Sequence, residues 1–148
     1  MFHRLIFGSN IAMMHKGMAG KDFIFFTEAW CFLGAARLML LFRPFKKLLP
    51  ILSKKQGQHT IADEETLQLI KLSIARAGIR SPWRTKCFEQ ALAAKMMLNR
   101  RGIKSTVYFG VMKGKDGDHL QAHAWVKVGE FVITGWKGIE QYSVVGIF

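Results

Sequence analysis

Cys87 and His123 are the two side chains whose types and order suit nucleophilic acyl transfer. A cysteine attacks a carbonyl as the thiolate, and a free thiol is mostly protonated at neutral pH, so its surroundings decide its use. Cys87 falls near the start of an expected helix, with Ser81 or Thr85 as cap and Pro82 in the first turn under the earlier cap. There the helix dipole and free backbone N–H groups favour the thiolate, and Arg84 and Lys86 add positive charge. Taken alone, Cys87 also reads as a small buried hydrophobe on an amphipathic helix. His123 shifts that balance. Along Leu120–Val128 one side presents Leu120, Ala122, Ala124, Val126 and Val128, and the other Gln121, His123, Trp125 and Lys127. The histidine stands mid-strand between an amide and an aromatic ring, either as the base for a nearby thiol or as a satisfied surface or core residue. Cys31, inside an apolar helical stretch, is expected to be buried and inert, and Met96 and Met97 read as core filler.

The elements that must position the pair show in the periodicity. Asp22 to about Phe42 carries Phe26, Trp30, Leu33, Arg37 and Leu40 on one helical stripe, with further apolar residues spreading around it. Pro44 and Pro50 bracket a short segment, and SKKQGQHT (53–60) reads as a polar linker. Asp63–Ala77 spaces Leu67, Ile70 and Ile74 for a second helix, with acids in its first turn and Gly78 as its stop. The helix that carries Cys87 ends at Arg100-Arg101-Gly102. The period then changes to two. Strands are expected over Lys104–Met112 and Leu120–Val128, from Phe131, and over Tyr142–Phe148, with KGKDGD (113–118) and Gly129-Glu130 as turns. Helices followed by an antiparallel sheet make an α+β domain. The expected division is 1–60, a loose arm, an apolar helix and a basic linker, and 61–148, a core in which the catalytic helix packs on a small antiparallel sheet.

A cysteine at a helix start followed by a hairpin with a mid-strand histidine is the layout of papain-like and transglutaminase-like thiol enzymes. SPWRTKCFEQALAAKMMLNRRGI, then TVYFGVMKG and AHAWVKV, resemble the transglutaminase-like leader peptidases of lasso-peptide biosynthesis, over about Ile61 to Phe148. In that family a Pro-Trp precedes the catalytic cysteine and an Ala-His-Ala-Trp carries the catalytic histidine. The resemblance implies that Cys87 and His123 cut the leader peptide from a precursor and free an amine for ring closure, with Trp83 beside the site. It implies as partners the precursor leader, a separate leader-recognition protein and an ATP-dependent lasso cyclase. No cofactor is expected. The chain departs from the family at the third catalytic position, where a typical member has an acid on the strand after the histidine. Pairing Val128 with Phe131 sets His123 opposite Trp136, and Thr134, Gly135, Lys137 and Gly138 supply no carboxylate. Glu130 is too distant, Glu140 would need a bulge, and Thr134 or a backbone carbonyl is left to orient the imidazole.

The chain has 148 residues and a net charge of +12, from 22 basic and 10 acidic residues, so it favours acidic partners: peptide, protein, nucleic acid or anionic lipid. A nucleic-acid-binding module lacks a supporting motif here, and no nucleic acid is expected as partner. His119 and His123 lie four apart on a strand with no neighbouring cysteine, so a zinc site is not expected. A transglutaminase-like acyltransferase of other specificity and a scaffold without catalysis remain alternatives, since water and an amine resolve the same acyl-enzyme. Two cysteines are too few for a disulfide scaffold, and with no signal-peptide pattern a cytoplasmic protein is expected. Glu28 and Arg37 interrupt the apolar stretch Phe23–Phe42, which argues against a spanning helix. Arg43, Lys46 and Lys47 follow it, which makes peripheral membrane contact possible.

Overall fold

Caps and prolines set the helix boundaries of this chain, and a change to period two marks where its sheet begins. A computed structural model describes residues 20–53, 62–114, 117 and 119–148. Among the described residues four α-helices come first: α1 (Gly20–Phe42), α2 (Leu49–Leu52), α3 (Glu64–Arg80) and α4 (Cys87–Arg100). Four strands follow: β1 (Thr106–Lys113), β2 (Leu120–Val128), β3 (Phe131–Thr134) and β4 (Ser143–Ile147). They form one antiparallel sheet in the order β3-β2-β1-β4, which is the expected α+β architecture. The expected arm (1–19), most of the linker (54–60) and residues 115, 116 and 118 of the turn lie outside the described residues.

One core joins both halves of the chain. Leu33 of α1, Ile70 and Ile74 of α3, Leu92 and Leu98 of α4, and Val107, Val126 and Ile133 of the sheet are withdrawn from water together. Each such side chain contributes about 1.5–3 kcal/mol of transfer free energy. The two charges that interrupt the apolar stretch of α1 become its anchors. Glu28 is nearly buried and accepts two hydrogen bonds from Arg101, at 2.8 and 2.5 Å. Arg37 donates to the buried Glu89 of α4 at 3.2 Å.

Several boundaries differ from those expected, each for a local reason. Asp63 caps α3 by accepting from the Thr66 N–H at 3.3 Å, and its hydrogen bonding to Thr66 holds its carboxyl below the usual range. Gly78 does not stop α3, which runs two residues further. The Thr85 hydroxyl donates to the Gly78 carbonyl at 3.0 Å and folds 81–86 back onto this turn. Ser81 caps the C-terminus of α3 and donates to the Ala77 carbonyl at 2.8 Å, so neither it nor Thr85 starts the next helix. Cys31 is exposed, against the expectation that it is buried. Helix α1 is apolar almost all round and buries Ala29, Leu33 and Ala36, while Cys31 falls on the side away from them.

Candidate active site

Residues 81–86 are non-helical, so Cys87 is the first residue of α4, nearer the helix end than the sequence indicated. Lys86 stands at the cap in an extended conformation and makes no side-chain capping bond. The first N–H groups of a helix have no partner within it, so the Cys87 N–H is available to a ligand oxygen. The thiol is partly exposed. Glu89, two residues on, opposes a thiolate at this end, but Arg37 and Arg84 lie 3.2 and 3.8 Å from its carboxylate. Part of the positive charge expected to favour Cys87 is therefore spent on neutralising Glu89.

His123 is held from three sides. Strand pairing sets Gly110 of β1 opposite it, and a Cβ there would come within 2.8–2.9 Å of Tyr142 and the Trp125 ring. Without that Cβ, the three rings pack closely: Tyr142 and Trp125 lie 4.9 and 5.9 Å from the imidazole between ring centroids. The third restraint is polar. His123 Nε2 lies 2.7 Å from the Gly135 carbonyl oxygen. A carbonyl only accepts, so this bond assigns the ring proton to Nε2 and leaves Nδ1 of the neutral imidazole able to take one.

That carbonyl arrives by a register shift. Val128 pairs with Phe131 as expected, but a bulge between Val126 and Lys127 brings Thr134 opposite Val126 and β3 then ends. His123 therefore does not pair with Trp136, which sits on the surface with the Lys71 and Lys137 ammonium groups over its ring. Gly135 turns at φ +71°, and a Cβ there would strike the Ala124 carbonyl. Among the described residues no carboxylate bonds to His123: Glu130 is exposed beside Lys127, and Glu140 lies in the short turn Ile139–Gln141. The Thr134 hydroxyl is buried and has no hydrogen-bond partner among these residues.

Cys87 and His123 line one open cleft of about 210 Å³, with no hydrogen bond between thiol and imidazole. Its other walls are Ala122 and Ala124 and a ring cluster of Phe45, Phe88 and Phe109, with centroids 5.3–5.7 Å apart. Trp83 is not in this wall. It packs on Trp30 at 4.7 Å and over Gly34, and so ties the segment before Cys87 to α1. The sequence left a backbone carbonyl as one way to orient His123 but did not say that Gly135 supplies it, and it did not reveal Phe45. A backbone carbonyl has no residue-type signal, and Phe45 lies far upstream of Cys87 on an otherwise unremarkable turn.

A family model described as the transglutaminase-like superfamily matches residues 29–146, from within α1 into β4 and across both Cys87 and His123. No curated protein and no solved structure matches. The match spans most of its length, so the chain belongs to the transglutaminase-like superfamily, whose members are generally thiol-dependent peptidases and acyltransferases.

Proposed function

We propose that this protein is a cysteine peptidase that removes the leader from a lasso-peptide precursor, with Cys87 and His123 as its catalytic residues. The observation that carries the reading is the shared cleft. It holds a cysteine on an uncapped helix start and a histidine whose Nε2 is fixed by a carbonyl. The Pro82-Trp83 and Ala122-His123-Ala124-Trp125 motifs narrow it to the leader peptidases that the sequence resembles.

The reaction follows from these groups. His123 Nδ1 takes the thiol proton, and Cys87 Sγ attacks the scissile carbonyl carbon. The resulting oxyanion accepts from the Cys87 N–H at the head of α4. As the C–N bond breaks, the imidazolium returns its proton to the departing amine, which leaves on the core peptide. Water then hydrolyses the thioester and restores the thiol, releasing the leader as a carboxylic acid. A separate leader-recognition protein would deliver the substrate, and the cyclase would consume the new amine.

Mass spectrometry of a cognate precursor, incubated with the protein and its leader-recognition partner, tests this. Cleavage at the leader–core junction is expected, and Cys87→Ala should lower it by at least about a thousandfold. Cleavage elsewhere, or cleavage that survives Cys87→Ala, would falsify the assignment.

A further inference from the structure

Helix α1 presents a second surface that the cleft does not use. At ~100° per residue, Phe23, Ile24, Trp30, Leu38, Leu41 and Phe42 fall on one stripe about 120° wide, and all six are exposed. The stripe lies opposite the buried Ala29, Leu33 and Ala36. The four charged residues of the helix, Lys21, Asp22, Glu28 and Arg37, fall outside it. Just past its end stand Arg43, Lys46 and Lys47, exposed and in no ion pair among the described residues.

We propose that this stripe and its basic end form a docking face for an anionic lipid bilayer, on which α1 lies flat. Aromatic and leucine side chains on one face with exposed lysines and arginine beside them suit the boundary between headgroups and acyl chains. Arg43, Lys46 and Lys47, with the net charge of +12, supply the complement to anionic headgroups. By length and hydropathy α1 is able to cross a bilayer. Its opposite face is fixed in the core, however, and Glu28 and Arg37 are held in ion pairs with α4 and the residue that follows it. Crossing would break that packing, whereas lying flat keeps it. Phe45, just beyond the stripe, lines the cleft, so a docked molecule holds its cleft near the bilayer surface.

Flotation of the full chain with vesicles tests the proposal. It is expected to float with phosphatidylcholine vesicles containing phosphatidylglycerol, less with phosphatidylcholine alone, and less at high salt. Lys46→Gln with Lys47→Gln should weaken binding by about tenfold or more, and Leu38→Glu with Leu41→Glu should abolish it. Because those apolar variants alter a long helix, fluorescence of the unaltered protein gives an independent reading. Brominated lipid should quench the part of the tryptophan emission that Trp30→Phe removes. Failure to float with anionic vesicles overturns the proposal, even if a protein partner binds the same stripe. So does binding that survives Leu38→Glu with Leu41→Glu, or resistance to alkaline carbonate extraction, which would mean a spanning helix.

Discussion

A histidine oriented by a backbone carbonyl differs from one oriented by a carboxylate in what mutation can reach. The Gly135 oxygen cannot be deleted by changing a side chain, but it can be moved. Gly135→Ala forces a Cβ into the Ala124 carbonyl at a positive φ, so the Nε2 bond should lengthen and leader cleavage should fall about ten- to a hundredfold in steady-state assays. His123→Ala should cost as much as Cys87→Ala, because the leaving amine then has no proton donor. Glu140→Gln should leave the rate unchanged; a large loss would mean that its carboxylate reaches His123 in the substrate complex. Cys87 and His123, the proposed catalytic pair, stood out in the sequence, because residue type and motif carry that information. The orienting group was legible only as Thr134 or some backbone carbonyl, because the choice of Gly135 depends on a bulge that no side chain announces. The expected burial of Cys31 failed for a related reason: an apolar run does not say which of its faces is covered, and Cys31 is on the open one. Alkylation therefore labels both cysteines, and protection by substrate should appear at Cys87 alone, as read by peptide mapping.

Helix α1 is the element whose character changed most between sequence and structure. Its helical period was legible, but of the expected stripe Leu33 is buried and Trp30 is exposed. The two charges inside its apolar stretch, Glu28 and Arg37, looked like interruptions and serve instead as attachments to α4 and the turn that ends it. Glu28 is the more deeply placed, with both of its oxygens on Arg101 and the Arg101 guanidinium also 4.3 Å from the centre of the Phe25 ring. Arg101→Ala leaves that carboxylate buried without its main partner, and Arg100 at 3.7 Å compensates in part. A loss of about 2–3 kcal/mol is expected in urea unfolding, against a much smaller loss for the exposed pair Lys21–Glu65. Glu28→Gln should recover part of the loss in the Arg101→Ala background, because a neutral amide costs less to bury. The Ser81 alternative for the start of α4 was off by several residues, because Ser81 and Pro82 form a good cap pair in isolation, and the Thr85 alternative was off by one. In the fold that serine finishes α3, and the correction brings Cys87 to the very head of its helix.

Across the whole molecule the excess of positive charge acts in two ways that pH and salt separate. Surface lysines and arginines repel one another over distances that salt screens, so thermal stability should rise as salt is added at neutral pH. Lys95 is a different case, since it is nearly buried in α4 and its ammonium donates to the Ser105 carbonyl at 2.6 Å. Burial disfavours its charged form and lowers its pKa from the ordinary 10.5. Below the folded value both states hold the proton and the desolvation cost is present in full. Between the folded value and 10.5 the unfolded chain binds more protons, so stability rises with pH, and above 10.5 the cost is gone. Half-buried Lys71 is lowered by the same cause and adds to that slope. Lys95→Met removes the ionisation and keeps most of the volume. The gain in unfolding free energy from neutral to alkaline pH should then shrink, while the salt dependence stays as in the unaltered protein. Urea titrations at a series of pH values, repeated at low and high salt, measure both. A variant that kept the full alkaline gain would assign that gain to surface repulsion and leave Lys95 without a part in it.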